Sequence, residues 1–177
     1  MRTLNEQLAN YAAYHRDRRN IAIHSAGVPL IVLAVATLLS RPRIVGGPFP
    51  LSPAILLFGL ATLFYLRLDL LFGLGMSIVS VVALSFGAWS AAQSTAVWIA
   101  LGVGVFVFGW ILQFIGHYWE GRKPAFVDDI MGLAIGPLFI LAEFAFALGL
   151  RHEVRRHIES VAGPTRAGRA PSAEASS

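Results

Sequence analysis

Long apolar runs alternate with short polar stretches along most of the chain. The runs lie at residues 21–39, 54–66, 70–92, 95–116 and 130–150. A helix needs about 20 apolar residues to span a bilayer, and every run except the second reaches about that length. The pattern predicts an all-α, polytopic membrane helical bundle with about five apolar helices.

The polar segment before the first run has a helical period of its own. One stripe of that helix is formed by Leu4, Leu8, Tyr11 and His15, spaced i, i+4, i+7 and i+11. We therefore expect residues 1–20 to form an interfacial helix ahead of a bundle at 21–150. The small, polar and basic residues of 151–177 predict a disordered tail.

The composition supports a membrane bundle and removes several other classes of protein. Of the 177 residues, 14% are charged, whereas a soluble domain carries about 25%. The sequence has no cysteine, which excludes disulfides, thiolate nucleophiles and iron–sulfur clusters. The net charge of +4 does not indicate a nucleic-acid partner. The arginines lie at the ends of apolar runs and in the tail, where they would contact anionic membrane lipid.

Two polar islands interrupt the apolar sequence. The first contains His15, Asn20 and His24, and the second contains His117 and Glu120. Such groups are costly beside hydrocarbon, so their clustering points to a functional site. If all five runs cross the bilayer, both islands lie at one membrane face. Spacings of i, i+4 and i, i+3 place Asn20 with His24, and His117 with Glu120, on shared helix faces. His15 joins them only if the chain turns before His24.

The residue types in these islands allow more than one chemistry. Imidazoles and carboxylates bind iron or zinc, and they also relay protons. Glu143 lies inside the fifth run, where a carboxylate must be protonated, paired or metal-bound. Asp128 is placed either to cap the fifth helix or to take part in the site. Each histidine taken alone could also be an ordinary interfacial or capping residue.

Charge alone does not orient the bundle. With five crossings, seven basic residues fall on the histidine side and seven on the opposite side, the latter including Arg151, Arg155 and Arg156. Leaving out the distant tail residues favours a cytoplasmic histidine side only slightly.

The order of the motifs carries a family resemblance. The motifs are Tyr14-His15, Asn20, His24, Gly27-Val28-Pro29, Gln113 to His117, Glu120, Pro124-Ala125, Asp128, Pro137-Leu138-Phe139 and Glu143. In this order the chain resembles the small membrane-embedded Fe(II)-dependent 2-hydroxy fatty acid dioxygenases. The resemblance implies fatty acid α-oxidation, in which a 2-hydroxy fatty acid and O2 give a fatty acid one carbon shorter.

The resemblance also implies roles for individual residues. The metal-binding and catalytic set is His15, His24, His117 and Glu120, with Glu120 either a fourth ligand to Fe(II) or a group that orients the ligands. The residues that would bind the substrate carboxylate are Arg18, Arg19 and Lys123. The supporting residues are Asn20, Asp128 and Glu143.

Two alternatives stay open at this stage. One is a zinc-dependent membrane lipid hydrolase, and the other is a non-enzymatic membrane scaffold or transporter. Frequent Ala, Arg and Gly favour a bacterial inner-membrane protein, whereas eukaryotic members of the family act in the endoplasmic reticulum. The sequence leaves open whether the protein is a homo-oligomer.

Overall fold

A computed structural model describes residues 2–42 and 51–167 of the chain. The helices are α1 (Leu4–Ala12), α2 (Arg18–Ser40), α3 (Pro53–Leu68), α4 (Leu70–Ala91), α5 (Thr95–Ile99), α6 (Val105–Glu120), α7 (Gly132–Ala147) and α8 (His152–Ala162). A π-helical segment, Ala100–Gly104, joins α5 to α6. A 3-10 turn, Ala125–Val127, precedes α7. The predicted all-α class is confirmed.

The predicted apolar runs correspond to α2, α3, α4, the continuous helix α5–α6, and α7. Three of these are long and apolar enough to cross a membrane, with 23, 22 and 26 residues in α2, α4 and α5–α6. The α3 helix has 16 residues, a length of about 24 Å. Large side chains such as Leu60, Ile78 and Phe108 are exposed on the outside of the bundle. A broad apolar surface of this kind is expected where hydrocarbon surrounds the helices.

The α2 helix holds the bundle together and carries much of the first polar island. It contacts α3, α4, α6 and α7. The N-terminal α1 lies over the end of this bundle and packs against α7 and α8. Leu8 and Tyr11 of α1 share one buried cluster with Leu138 and Phe139 of α7.

The N-terminal helix is shorter than predicted, because two capping signals divide the segment 1–20. Thr3 and Glu6 form a capping box that starts α1, which ends at Ala12. The side chain of Asp17 then accepts a hydrogen bond from the backbone N–H of Arg19 and starts α2. The chain therefore turns at residues 13–17, which places His15 in the turn and His24 on α2.

The C-terminal region differs from the predicted disordered tail. Residues 152–162 form α8, which follows α7 at an angle of 116°. The helix forms because Val154 and Ile158, spaced i, i+4, are buried in the cluster that includes α1. The rest of that predicted tail, residues 168–177, lies outside the described residues.

The bend after α7 returns the chain to the turn between α3 and α4. Arg151, at the bend, forms an ion pair with Asp69 in that turn. Tyr65, one helical turn before Asp69, donates a hydrogen bond of 2.6 Å to the carbonyl of Ala134 near the start of α7. The α8 helix then packs on α1, on the histidine side. Arg151, Arg155 and Arg156 therefore lie on the histidine side and not on the opposite face. The predicted equal division of basic residues between the two faces is wrong.

Candidate metal centre

His15 lies in the turn after α1, enclosed by aromatic rings. Its ring stacks on Tyr11 with centroids 4.2 Å apart and an interplanar angle of 8°. Phe139 of α7 lies on it as well, with centroids 5.7 Å apart. The Nδ1 atom is 2.9 Å from the carbonyl oxygen of Tyr11. This contact assigns the proton to Nδ1 and leaves the lone pair of Nε2 to face the other histidines.

His24 and His117 complete the cluster from two different helices. His24 on α2 has its Nδ1 3.1 Å from the carbonyl oxygen of Asn20, so it has the same tautomer as His15. His117 lies in the last turn of α6. The ring centroids are 4.7 Å apart for His15 and His24, 4.9 Å for His15 and His117, and 4.8 Å for His24 and His117. The two polar islands therefore meet in space.

The donor set of this cluster suits a metal ion. One nitrogen from each of the three histidines lies within 4.8 Å of the others, and all three residues are buried. His15 Nε2 and His117 Nδ1 have no hydrogen-bond partner among residues 2–42 and 51–167, an arrangement that costs about 1–3 kcal/mol for each group. Burial holds the pKa of His15 well below its usual range, so this ring is neutral, as a ligand must be. The residues present therefore fit a site with three imidazole ligands.

Close contact between α2 and α6 brings the islands together, and glycines permit it. A Cβ atom at Gly116 would lie 2.4 Å from Asn20 Oδ1 and 2.7 Å from His24 Nδ1. A Cβ atom at Gly27 would lie 2.2 Å from Gln113 Nε2. Small residues let helices approach in a membrane, so these glycines set the distance between His24 and His117.

Glu120 lies outside the group of converging ligand atoms. Its side chain is fully buried. Its Oε2 accepts hydrogen bonds from the backbone N–H groups of Arg16 (2.9 Å) and Asp17 (2.8 Å) and from Asn20 Nδ2 (3.0 Å). Its Oε1 accepts one of 3.1 Å from Arg166. With four donors on the carboxylate, this arrangement favours the orienting role over the ligand role.

Comparison with known proteins gives an independent result. The family model described as 2-hydroxy-palmitic acid dioxygenase Mpo1-like matches residues 1–148, a range that includes all three histidines. The chain belongs to this family. It is 32% identical over 158 residues to the 2-hydroxy-palmitic acid dioxygenase MPO1 of Saccharomyces cerevisiae, an alignment that covers 88% of this chain and 87% of the yeast protein. No solved structure matches the chain.

In this family member, the predicted carboxylate-binding residues lie around the site near the protein surface. Arg19 forms a 2.9 Å ion pair with Asp17. Lys123 forms a 2.6 Å ion pair with Asp128. Arg18 is exposed at the first position of α2. The structure therefore places these residues near the site but not among the three imidazoles.

Asp128 does not cap the fifth apolar helix. The α7 helix starts at Gly132, and its N-cap residue is Met131. Asp128 instead pairs with Lys123 and accepts a 2.9 Å hydrogen bond from the hydroxyl of Tyr14. These contacts hold the pKa of the Asp128 carboxyl below its usual range, and the hydrogen bond with Lys123 is the largest cause. Asp128 thus ties the loop after α6 to the turn that carries His15.

Glu143 also lies outside the converging group. It lines a groove of about 670 Å³ between α2, α4 and α7. The α2 wall runs from Ile21 to Leu33, and the only polar lining residues within the described part of the chain are Ser25 and Glu143. The α2 wall includes Val28, one helical turn after His24.

Sequence reasoning missed the parts of the site that come from α7 and the C-terminal segment. Phe139 contacts His15 because α7 packs on α1, and Arg166 contacts Glu120 because the chain folds back after α7. No local pattern predicts either contact. The sequence placed Tyr11 and His15 on one helical stripe, and this i, i+4 spacing is the signal that could have assigned Tyr11 to the site.

Proposed function

We propose that this protein is an Fe(II)-dependent dioxygenase that shortens 2-hydroxy fatty acids by one carbon at the membrane. The observation that carries the proposal is the buried cluster of three histidines, in which two ring nitrogens have no hydrogen-bond partner within the part of the chain that the structure describes. The name of the yeast relative supports the substrate class. The donor set alone suits zinc as well as iron.

His15, His24 and His117 would hold the ion. Three neutral imidazoles leave the charge of Fe(II) uncompensated, which favours an anionic substrate. Bound Fe(II) would supply the reaction with O2. The carbonyls of Tyr11 and Asn20 accept the Nδ1 protons, and such bonds fix the ring orientation and raise the basicity of the ligating nitrogen.

The groove between α2, α4 and α7 would take the acyl chain. Its nearly all-apolar walls match hydrocarbon, and it passes one helical turn from His24. The substrate carboxylate would lie at the membrane face, where Arg18, Arg19 and Lys123 supply positive charge. A membrane location suits this reaction, because the substrate and its product both partition into lipid.

We infer further that the histidine face is cytoplasmic. The described basic residues on that face are Arg2, Arg16, Arg18, Arg19, Arg67, Arg122, Lys123, Arg151, Arg155, Arg156 and Arg166. Arg41, at the end of α2, is the single basic residue on the opposite face within the described ranges 2–42 and 51–167. Loops rich in Lys and Arg stay in the cytoplasm, and for a bacterial chain this means the inner face of the inner membrane.

Metal analysis combined with O2 uptake tests the proposal. The purified protein should contain iron and consume O2 with 2-hydroxypalmitate but not with palmitate, and His24→Ala should abolish both iron content and O2 uptake. The control is His157→Ala, which removes an exposed histidine of α8. Zinc without O2 uptake would support the hydrolase instead. If the purified protein contains neither metal, and replacing all three cluster histidines by Ala leaves its stability unchanged, the result would support a scaffold.

A further inference from the structure

The segment after α8 makes contacts that the functional site alone does not explain. This segment, Gly163–Arg166, lies beyond the region matched by the family model, which ends at residue 148. It returns to the turn between α1 and α2. There Asp17 and Arg166 form an isolated parallel β-bridge.

The backbone contacts hold both sides of that turn. The N–H of Arg166 donates a 2.7 Å hydrogen bond to the carbonyl of Arg16, and the N–H of Arg18 donates one of 3.0 Å to the carbonyl of Arg166. The guanidinium of Arg16 donates one of 2.8 Å to the carbonyl of Gly163. Because Arg16 directly follows His15, these bonds restrain the backbone that carries the first histidine.

A side-chain contact joins the segment to the other half of the site. Arg166 pairs with Oε1 of Glu120 at 3.1 Å, and the Glu120 side chain is fully buried while that of Arg166 is half exposed. The other oxygen of Glu120 accepts the backbone N–H groups of Arg16 and Asp17. Glu120 lies three residues after His117 on α6. One carboxylate therefore links the C-terminal segment, the turn next to His15 and the helix of His117.

We propose that Gly163–Arg166 is a clasp that positions His15 for metal binding. The proposal rests on the proposed metal site, and it assigns Arg166 as a positioning residue rather than a ligand. Residues 13–17 join α1 to α2 and belong to neither helix, and the Glu120 carboxylate already holds the N–H groups of Arg16 and Asp17. The clasp adds backbone bonds to Arg16 and Arg18 from a part of the chain outside the family match.

The test uses the full chain in detergent with three changes: Arg166→Ala, Arg166→Pro and a stop after Ala162. Arg166→Ala removes the pair with Glu120, and Arg166→Pro also removes the N–H that bonds to Arg16. We expect Co(II) affinity to fall about tenfold in the first variant and up to about 100-fold in the second, the range seen when groups supporting metal ligands are lost. Arg166→Lys should restore part of the loss. Arg155→Ala, which breaks the exposed pair with Glu159 on α8, is the matched control and should bind like the wild type.

Two readouts separate a failed clasp from a failed metal site. The first needs no metal: hydrogen exchange at the amide of Arg18 should accelerate in the Arg166→Pro and truncated chains. The second is the visible spectrum of bound Co(II), which should change if His15 leaves the coordination sphere. Unchanged exchange and unchanged affinity in both chains would overturn the clasp. If the wild type binds no metal, the proposed function fails and the exchange result alone decides the clasp. If the truncated chain does not fold, Arg166→Pro gives the decision.

Discussion

Replacing Gly116 by Ala should damage the metal centre while adding a single methyl group. The new Cβ would lie 2.4 Å from Asn20 Oδ1, 2.7 Å from His24 Nδ1 and 2.8 Å from His24 Cε1. Neither neighbour moves easily. Asn20 is hydrogen-bonded to Glu120, and the Nδ1 of His24 is hydrogen-bonded to the backbone. The α2 helix must therefore shift away from α6, which separates His24 from His117.

Known packing energies set the expected size of this effect. Overpacking a filled interior costs about 1–3 kcal/mol. If that free energy is lost from the binding-competent arrangement, metal affinity falls about 5- to 150-fold, at 1.4 kcal/mol for each factor of ten. The gain in helix propensity from Gly to Ala is at most about 1 kcal/mol, so the free energy of unfolding of the metal-free protein should change less than the affinity does.

The assay is competition for Co(II) or Zn(II) against a chromophoric chelator in detergent, with thermal unfolding of the metal-free protein in parallel. Gly59→Ala on α3 is the matched control, since a Cβ atom there meets no described residue within 4 Å. It should bind metal like the wild type. Wild-type affinity in Gly116→Ala would refute the reasoning that close contact of α2 with α6 sets the geometry of the site.

Three further outcomes follow from the same structure. Phe139→Ala should lower the free energy of unfolding by about 3–5 kcal/mol and weaken metal binding, because this fully buried ring packs on His15. Chemical denaturation measures the loss of stability. If stability falls by this amount but metal affinity is unchanged, the ring does not support the site. Metal at 100 times its Kd should stabilise the wild type by about 2.7 kcal/mol and His157→Ala equally, but should leave His24→Ala unchanged in a thermal melt. A reporter that works only in the cytoplasm should be active when fused after residue 177, and a reporter that works only outside the cytoplasm should be inactive there. The opposite pair of results would reverse the inferred orientation.

Local patterns in the sequence predicted the helices and the nature of the site residues. Apolar period and length locate the membrane helices, because each helix satisfies its own backbone hydrogen bonds and exposes its side chains to lipid. The same reasoning marked His15, His24 and His117, since imidazoles are rare and costly next to hydrocarbon. The need for a turn ahead of His24 also followed from spacing, although the turn lies at residues 13–17, where His15 itself is part of it.

Tertiary structure decided how these pieces meet. The return of the chain after α7 depends on contacts between distant residues, such as Arg151 with Asp69, and no local period encodes it. That return turned a predicted disordered tail into α8 and moved its arginines to the histidine face. It also gave Glu120 a fourth hydrogen-bond donor, Arg166. The sequence determined which groups are available for chemistry, because their placement in an apolar chain is local. Only packing decided which atoms face one another, because helix approach and chain reversal are set by contacts across the whole fold.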